Sequence, residues 1–343
     1  MKLPLPLDLA AMEADSVPEI PAGPEWRYEP KWDGFRCLAF RDGDEVDIRS
    51  KAGKPLARYF PDVVAALLAL KAKRFVLDGE IVVPVDGGLS FEELLLRVHP
   101  AASRVKKLAD AHPATLIVFD LLLDTHGNPL VELPLAERRE KLEAFAAKFF
   151  PDDERIRLSP STKSLEEARG WLSAGGKGLD GVMAKRADAP YASGERTAMQ
   201  KIKNVRTAEC VVGGFRYASK GGIVGSLLLG LYDDAGLLNH VGFCSSIKAA
   251  ERKELTPKLE KLVEPPGFTG NAPGGPSRWS TERSAQWEPL RPELVAEVQY
   301  DHFSGGRFRH GVRFVRWRPD KDPRQCRMDQ VAKESRSSLR LIG

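Results

Sequence analysis

Two hydrophobic periods alternate through the first two thirds of the chain. Short β-rich apolar runs occur at Phe75–Leu77 with Ile81–Val83, at Leu116–Phe119 and at Val182–Ala184. Between them, apolar residues at helical spacing predict helices over Pro61–Arg74, Ser90–Val98, Leu135–Phe149 and Ser164–Ala174. Proline opens the first of these, where its missing N–H costs nothing. Ser164 followed by Glu167 is a capping-box pattern for the last. The strands are too short and too unevenly spaced for repeated βαβ units, so the pattern predicts an α+β domain.

After about Arg206 the pattern becomes β. Strands are expected at Cys210–Tyr217, Gly225–Tyr232 and Leu237–Phe243, the last two joined by a turn at Asp233–Gly236. A helix over Lys248–Val263, a Pro/Gly-rich loop over Glu264–Pro276, and closing strands at Leu294–Tyr300 and Val312–Trp317 follow. A short all-β region with one helix and a basic end fits a small barrel of the OB type. The expected division is residues 1–205, residues 206–322 and a basic tail over 323–343, with the boundary near Asn204–Ala208.

Composition narrows the class. At 42% hydrophobic and 29% charged, the 343 residues can bury two ordinary cores. No run approaches the roughly 20 apolar residues a membrane helix needs. Pro4, Pro6 and Asp8 interrupt the apolar N-terminus, so a cytoplasmic protein without a membrane association is expected. Cys37, Cys210, Cys244 and Cys326 lack paired spacing, which predicts reduced, buried thiols and neither zinc nor disulfides. Charge is uneven: Thr207 onward holds 21 Lys/Arg against 16 Asp/Glu, whereas the first 206 residues hold 31 against 32. His302–Gly343 alone carries 11 basic and 4 acidic residues, which points to a polyanion partner.

Candidate chemistry begins at Glu29-Pro30-Lys31-Trp32-Asp33-Gly34-Phe35-Arg36. Pro30 stiffens the chain before Lys31, and Gly34 permits close backbone approach. A lysine among other cations gives up its proton more readily and can attack phosphorus as a neutral amine. Further along stand Arg49-Ser50-Lys51-Ala52-Gly53, Leu77-Asp78-Gly79-Glu80-Ile81-Val82, Phe119-Asp120-Leu121-Leu122, Gly178-Leu179-Asp180-Gly181-Val182-Met183-Ala184-Lys185, Met199-Gln200-Lys201-Ile202-Lys203 and Arg313-Phe314-Val315-Arg316-Trp317-Arg318-Pro319-Asp320-Lys321.

This ordered set resembles the covalent nucleotidyltransferase superfamily of ATP-dependent DNA ligases and capping enzymes. Within it the chain is most similar to the small bacterial repair ligases called ligase C, related to the ligase domain of bacterial ligase D. The resemblance covers about Pro21 to Lys321. It implies an adenylation domain followed by an OB-fold domain, and sealing of 5′-phosphate/3′-hydroxyl nicks in duplex DNA. RNA ligases and GTP-using capping enzymes share the scaffold and are the alternative.

The resemblance also implies roles. Lys31 would carry AMP from ATP, with Glu29 and Lys185 in the nucleotide site. Arg36 and Arg49 would hold the ribose and phosphate region and later the nick 5′-phosphate. Arginine suits this because its planar fork donates bidentately. Phe119 would stack on adenine. Glu80 would accept from the ribose hydroxyl or contact metal, and Asp180, where the family more often has glutamate, would be the second carboxylate on Mg²⁺, with Mn²⁺ able to substitute. Lys201 and Lys203 would neutralise the α-phosphate and favour the neutral amine of Lys31. Arg316, Arg318 and Lys321, with Asp320, would bind the β- and γ-phosphates. Nicked DNA and repair-pathway proteins are the expected partners of a cytoplasmic, nucleoid-associated monomer.

Overall fold

A computed structural model describes residues 1–150, 155–173, 179–219, 222–274, 286–331 and 341. The chain divides into two compact units, the first comprising Met1–Asn204 and residues at the C-terminal end, the second Val205–Lys333.

Among the described residues, the first unit holds two main sheets and a short hairpin, Pro84–Val85 with Gly88–Leu89. One runs β4(Glu45–Ser50), β3(Phe35–Asp42), β5(Arg74–Val82), β6(Thr115–Leu123) and β7(Ile156–Leu158), antiparallel except for the β6–β7 pair. Every residue of β6 is buried, as a strand covered on both faces requires. One face takes Val63 and Leu67 of α1(Pro61–Ala69), Leu94 of α2(Phe91–Leu96), and Leu142 and Phe145 of α4(Leu135–Phe149). The opposite face, Leu38, Phe40, Val76 and Leu122, is covered by Leu5, Ala11 and Met12 of the N-terminal segment and by Tyr191. The second sheet runs β1(Asp15–Ser16), β9(Met199–Lys203), β8(Leu179–Arg186) and β2(Trp26–Trp32).

The helix at Pro61 ends five residues before the expected Arg74, because a buried arginine terminates it. Arg41 donates to the carbonyls of Leu67, Leu68 and Leu70, which the last helical turn leaves without partners. Ser90 and Ser164 act as N-caps of α2 and α5(Leu165–Ser173), each hydroxyl accepting an N–H at 3.2 Å. Helix α3(Ala102–Ala111) adds to the expected set, with Val105 and Ala109 buried. Ala174, the last residue expected for α5, lies outside the described residues.

The second unit is built on a sheet ordered β12(Leu238–Cys244), β11(Val224–Tyr232), β10(Arg206–Tyr217), β13(Val295–Tyr300) and β14(Arg313–Trp317), with Glu288–Pro289 also paired to β10 and a short hairpin, Phe303–Ser304 with Arg307–Phe308, beside it. Among the described residues, its edges approach at the bridge between Cys244 and Val312. Helix α6(Ala249–Glu260) packs Leu255 and Leu259 into the core. The expected tail at 323–343 needs correction at its start. Cys326 and Val331 are buried in this core, and the Cys326 carbonyl accepts from Tyr232 N–H at 2.8 Å. Leu341, further on, packs beside Trp32 and Val82. All four cysteines are buried and free.

Candidate active site

Strand register gathers the first unit's candidate residues. Across β2, β8 and β9, Lys31 pairs with Gly181 and Gly181 with Lys203, while Glu29 pairs with Met183 and Met183 with Lys201. Cross-strand partners share a face, so these side chains point one way. In the other sheet Arg36 lies directly opposite Glu80. A pocket of about 220 Å³ is lined by Glu29, Lys31, Arg36, Glu80, Phe119, Lys185 and Lys201, with Met12, Glu13 and Lys51 at its walls.

Asp180 reaches this group through a break in the ladder. The β2–β8 register shifts between Leu179 and Gly181, making Asp180 an extra residue. A bulge re-aims a side chain that plain alternation would send the other way. Lys31 Nζ donates to Asp180 Oδ2, pairing the two charges. Gly181 has φ +145°, and a Cβ there would come within 1.9 Å of the Ile202 carbonyl oxygen. At Gly34 a Cβ would meet the Ile81 carbonyl oxygen at 2.2 Å, so the turn after Lys31 also requires glycine.

The pocket's other charges are paired from behind. Lys185 donates to Glu29 Oε2 at 2.7 Å, both almost fully buried, with Arg139 at 3.9 Å from the second carboxylate oxygen. Arg36 donates twice to Asp78, at 2.5 and 2.6 Å. The Arg36 guanidinium stands 4.6 Å and the Lys185 ammonium 4.4 Å from the Phe119 ring centre, an arrangement the ring quadrupole favours. Asp120, next along β6, is held by two 2.9 Å bonds from buried Arg138 of α4.

Burial pushes Glu80 up to about 7, against the pull of Arg36 and Lys31. Lys201 is lowered by burial first and then by the neighbouring ammonium groups of Lys31, Lys51 and Lys203. A carboxyl and an amine shifted toward neutrality in one pocket are characteristic of sites tuned for chemistry.

Two expected residues of the first unit do not line the pocket. Arg49 donates to both oxygens of Asp47 at 2.7 Å and does not line the pocket; Lys51, beyond the end of β4, does. Strand alternation cannot decide between them, because the chain turns at Ser50. Lys203 shares the face of Lys201 but is not a lining residue. Arg316, Arg318 and Lys321 form a separate cluster on the second unit. Arg316 donates to Glu297 at 2.6 Å, Arg318 to Glu209 and to Asp320, and Lys321 stands 2.7 Å from Glu209.

Comparison with known proteins gives this geometry its context. Residues 10–203 match the family described as the ATP dependent DNA ligase domain, and residues 220–321 match the ATP dependent DNA ligase C terminal region. The chain belongs to the ATP-dependent DNA ligases. DNA ligase C2 of Mycolicibacterium smegmatis is 44% identical over 354 residues, covering 98% of both chains. DNA ligase C of Mycobacterium tuberculosis is 43% identical over 354 residues, covering 99% of this chain and 98% of that protein. Among solved structures, a Lig E DNA ligase superposes with a TM-score of 0.54 at 17% identity, covering 90% of this chain and 99% of that one. That likeness speaks for the shared fold alone. The ligase uses ATP, and among its described residues no helix is long and apolar enough to cross a membrane.

Proposed function

We propose that this ligase seals nicks in duplex DNA through a Lys31–AMP adduct. The observation that carries this is the convergence of Lys31, Glu80, Lys185 and Lys201 on one pocket from strands far apart in sequence, with Asp180 paired to Lys31. Lys31 Nζ attacks the α-phosphorus of ATP, forming an N–P bond as the bond to pyrophosphate breaks. The nick 5′-phosphate then displaces Lys31 and takes the adenylate. Attack by the 3′-hydroxyl on the adenylated 5′-phosphate forms the phosphodiester and releases AMP, Lys31 having been freed in the preceding step.

Each displacement is governed by positioning and charge neutralisation. Lys185, fixed by Glu29, and Lys201 supply positive charge where the α-phosphate gains negative charge. Phe119 offers a face for adenine. Lys51, in the pocket wall, takes the phosphate contact that the sequence suggested for Arg49. Mg²⁺ fits the donor set: Glu80 and Asp180 are hard carboxylates that both bear on Lys31, and Mg²⁺ commonly takes one or two carboxylates plus substrate phosphates. When bound it would neutralise phosphate charge during each displacement. Mn²⁺ would serve in its place. The setting we infer is repair in the cytoplasm, on the nucleoid, by a monomer recruited by repair-pathway proteins.

Incubation with α-labelled ATP and Mg²⁺ tests the reading. A labelled protein that releases ATP with pyrophosphate and seals a nicked duplex is expected. Label persisting in Lys31→Ala would overturn it.

A further inference from the structure

Behind the pocket, one phenol oxygen joins two of its walls. Asp78 is completely buried, and a buried carboxylate is stable only when its oxygens are hydrogen-bonded. Arg36 supplies two of those bonds and Tyr191 the third, its hydroxyl donating to Oδ2 at 2.6 Å. The same hydroxyl accepts the backbone N–H of Met12 at 3.1 Å. Met12 and Arg36 both line the pocket, and Arg36 lies over Phe119.

We propose that Tyr191 is a positioning residue for the nucleotide. Through Asp78 it fixes the plane of Arg36, and through Met12 it fixes the N-terminal segment against the pocket. It touches no reacting atom. Asp78 by itself would leave Arg36 two oxygens about which to rock, and the third bond removes that freedom. The inference rests on the reading that this pocket receives ATP.

Tyr191→Phe removes the oxygen alone. It keeps the ring, its packing beside Leu38 and Phe40, and the Arg138 guanidinium 5.7 Å from the ring centre. Self-adenylation measured against ATP concentration should show the apparent KM raised about five- to tenfold, the loss expected for one buried hydrogen bond, with kcat within about twofold. A merely structural role would instead lower the active fraction at unchanged KM. Asp78→Asn removes the charge that accepts from Tyr191 and from Arg36 alike, and the double variant should match Asp78→Asn rather than compound the two losses. An unchanged KM in Tyr191→Phe, or independent effects in the double variant, would overturn the inference. Should Tyr191→Phe yield no folded protein, an unchanged KM in Asp78→Asn overturns it equally. Wild-type protein and Lys31→Ala run alongside separate the two readings: label absent from the first or present in the second sinks the ATP-site assignment and this inference together. A labelled wild type with an unaffected Tyr191→Phe sinks this inference alone.

Discussion

Lys31 and Asp180, 149 residues apart in sequence, form an ion pair in which the carboxylate is nearly buried and the lysine one-fifth exposed. The pair orients the amine, holding it beside the carboxylate. Asp180→Asn keeps the size of the side chain and removes the charge. Lysyl-AMP formation at saturating ATP should fall on the order of 100-fold or more. Labelling within a few-fold of wild type would show that the carboxylate is dispensable.

Arg49 and Lys51 are each paired with a carboxylate, Asp47 and Glu13, but Lys51 alone of the two lines the pocket. Lys51→Ala should slow nick sealing by about tenfold or more, since a phosphate contact is lost. Arg49→Ala removes a partly exposed ion pair and should stay within about threefold. Sealing assays at two salt concentrations decide between them, and equal losses would contradict the placement of these side chains.

Arg138 and Asp120 are both buried, so removing one charge strands the other. Arg138→Ala should lower the stability of the first unit by about 3–5 kcal/mol. Urea unfolding in the presence and absence of ATP measures it; a loss below about 1 kcal/mol would mean that water reaches Asp120.

In the second unit, burial first, with Arg307 and Arg216 adding repulsion, lowers His240 from 6.5 to about 4. A histidine whose folded value lies below its unfolded value stabilises the fold fully above pH 6.5. That contribution is lost as pH falls through about 4. The expected loss is about 3 kcal/mol at most, because each tenfold change in proton affinity is worth roughly 1.4 kcal/mol. His240→Phe keeps a ring beside Phe268 and should flatten the acid limb of the stability curve. An unchanged limb would place the titration elsewhere.

Where the sequence is legible, the physics is local. The helix Leu135–Phe149 is visible end to end because its apolar stripe stands in sequence between Pro134 and Pro151. The order of motifs names the pocket's cations and carboxylates. Illegible features depend on partners distant in sequence. Strand β5 reads as two runs, since Asp78 and Glu80 interrupt its apolar pattern; in the fold Asp78 is compensated by Arg36 and Tyr191. The early end of α1 needs Arg41, and Tyr191 shows nothing in sequence that marks it as a support for Asp78. Asp180 is identified by its motif, while the bulge that aims it leaves no trace in hydrophobicity.

The bulge also decides how this site can fail. Gly181 bears no charge and would contact no substrate, yet a methyl group there would push β8 off β9 and carry Asp180 away from Lys31. A screen of polar residues would pass over it. Alanine at this position should give a soluble, folded protein that binds DNA and forms no adduct, an inert competitor for the nicks that the active enzyme must reach.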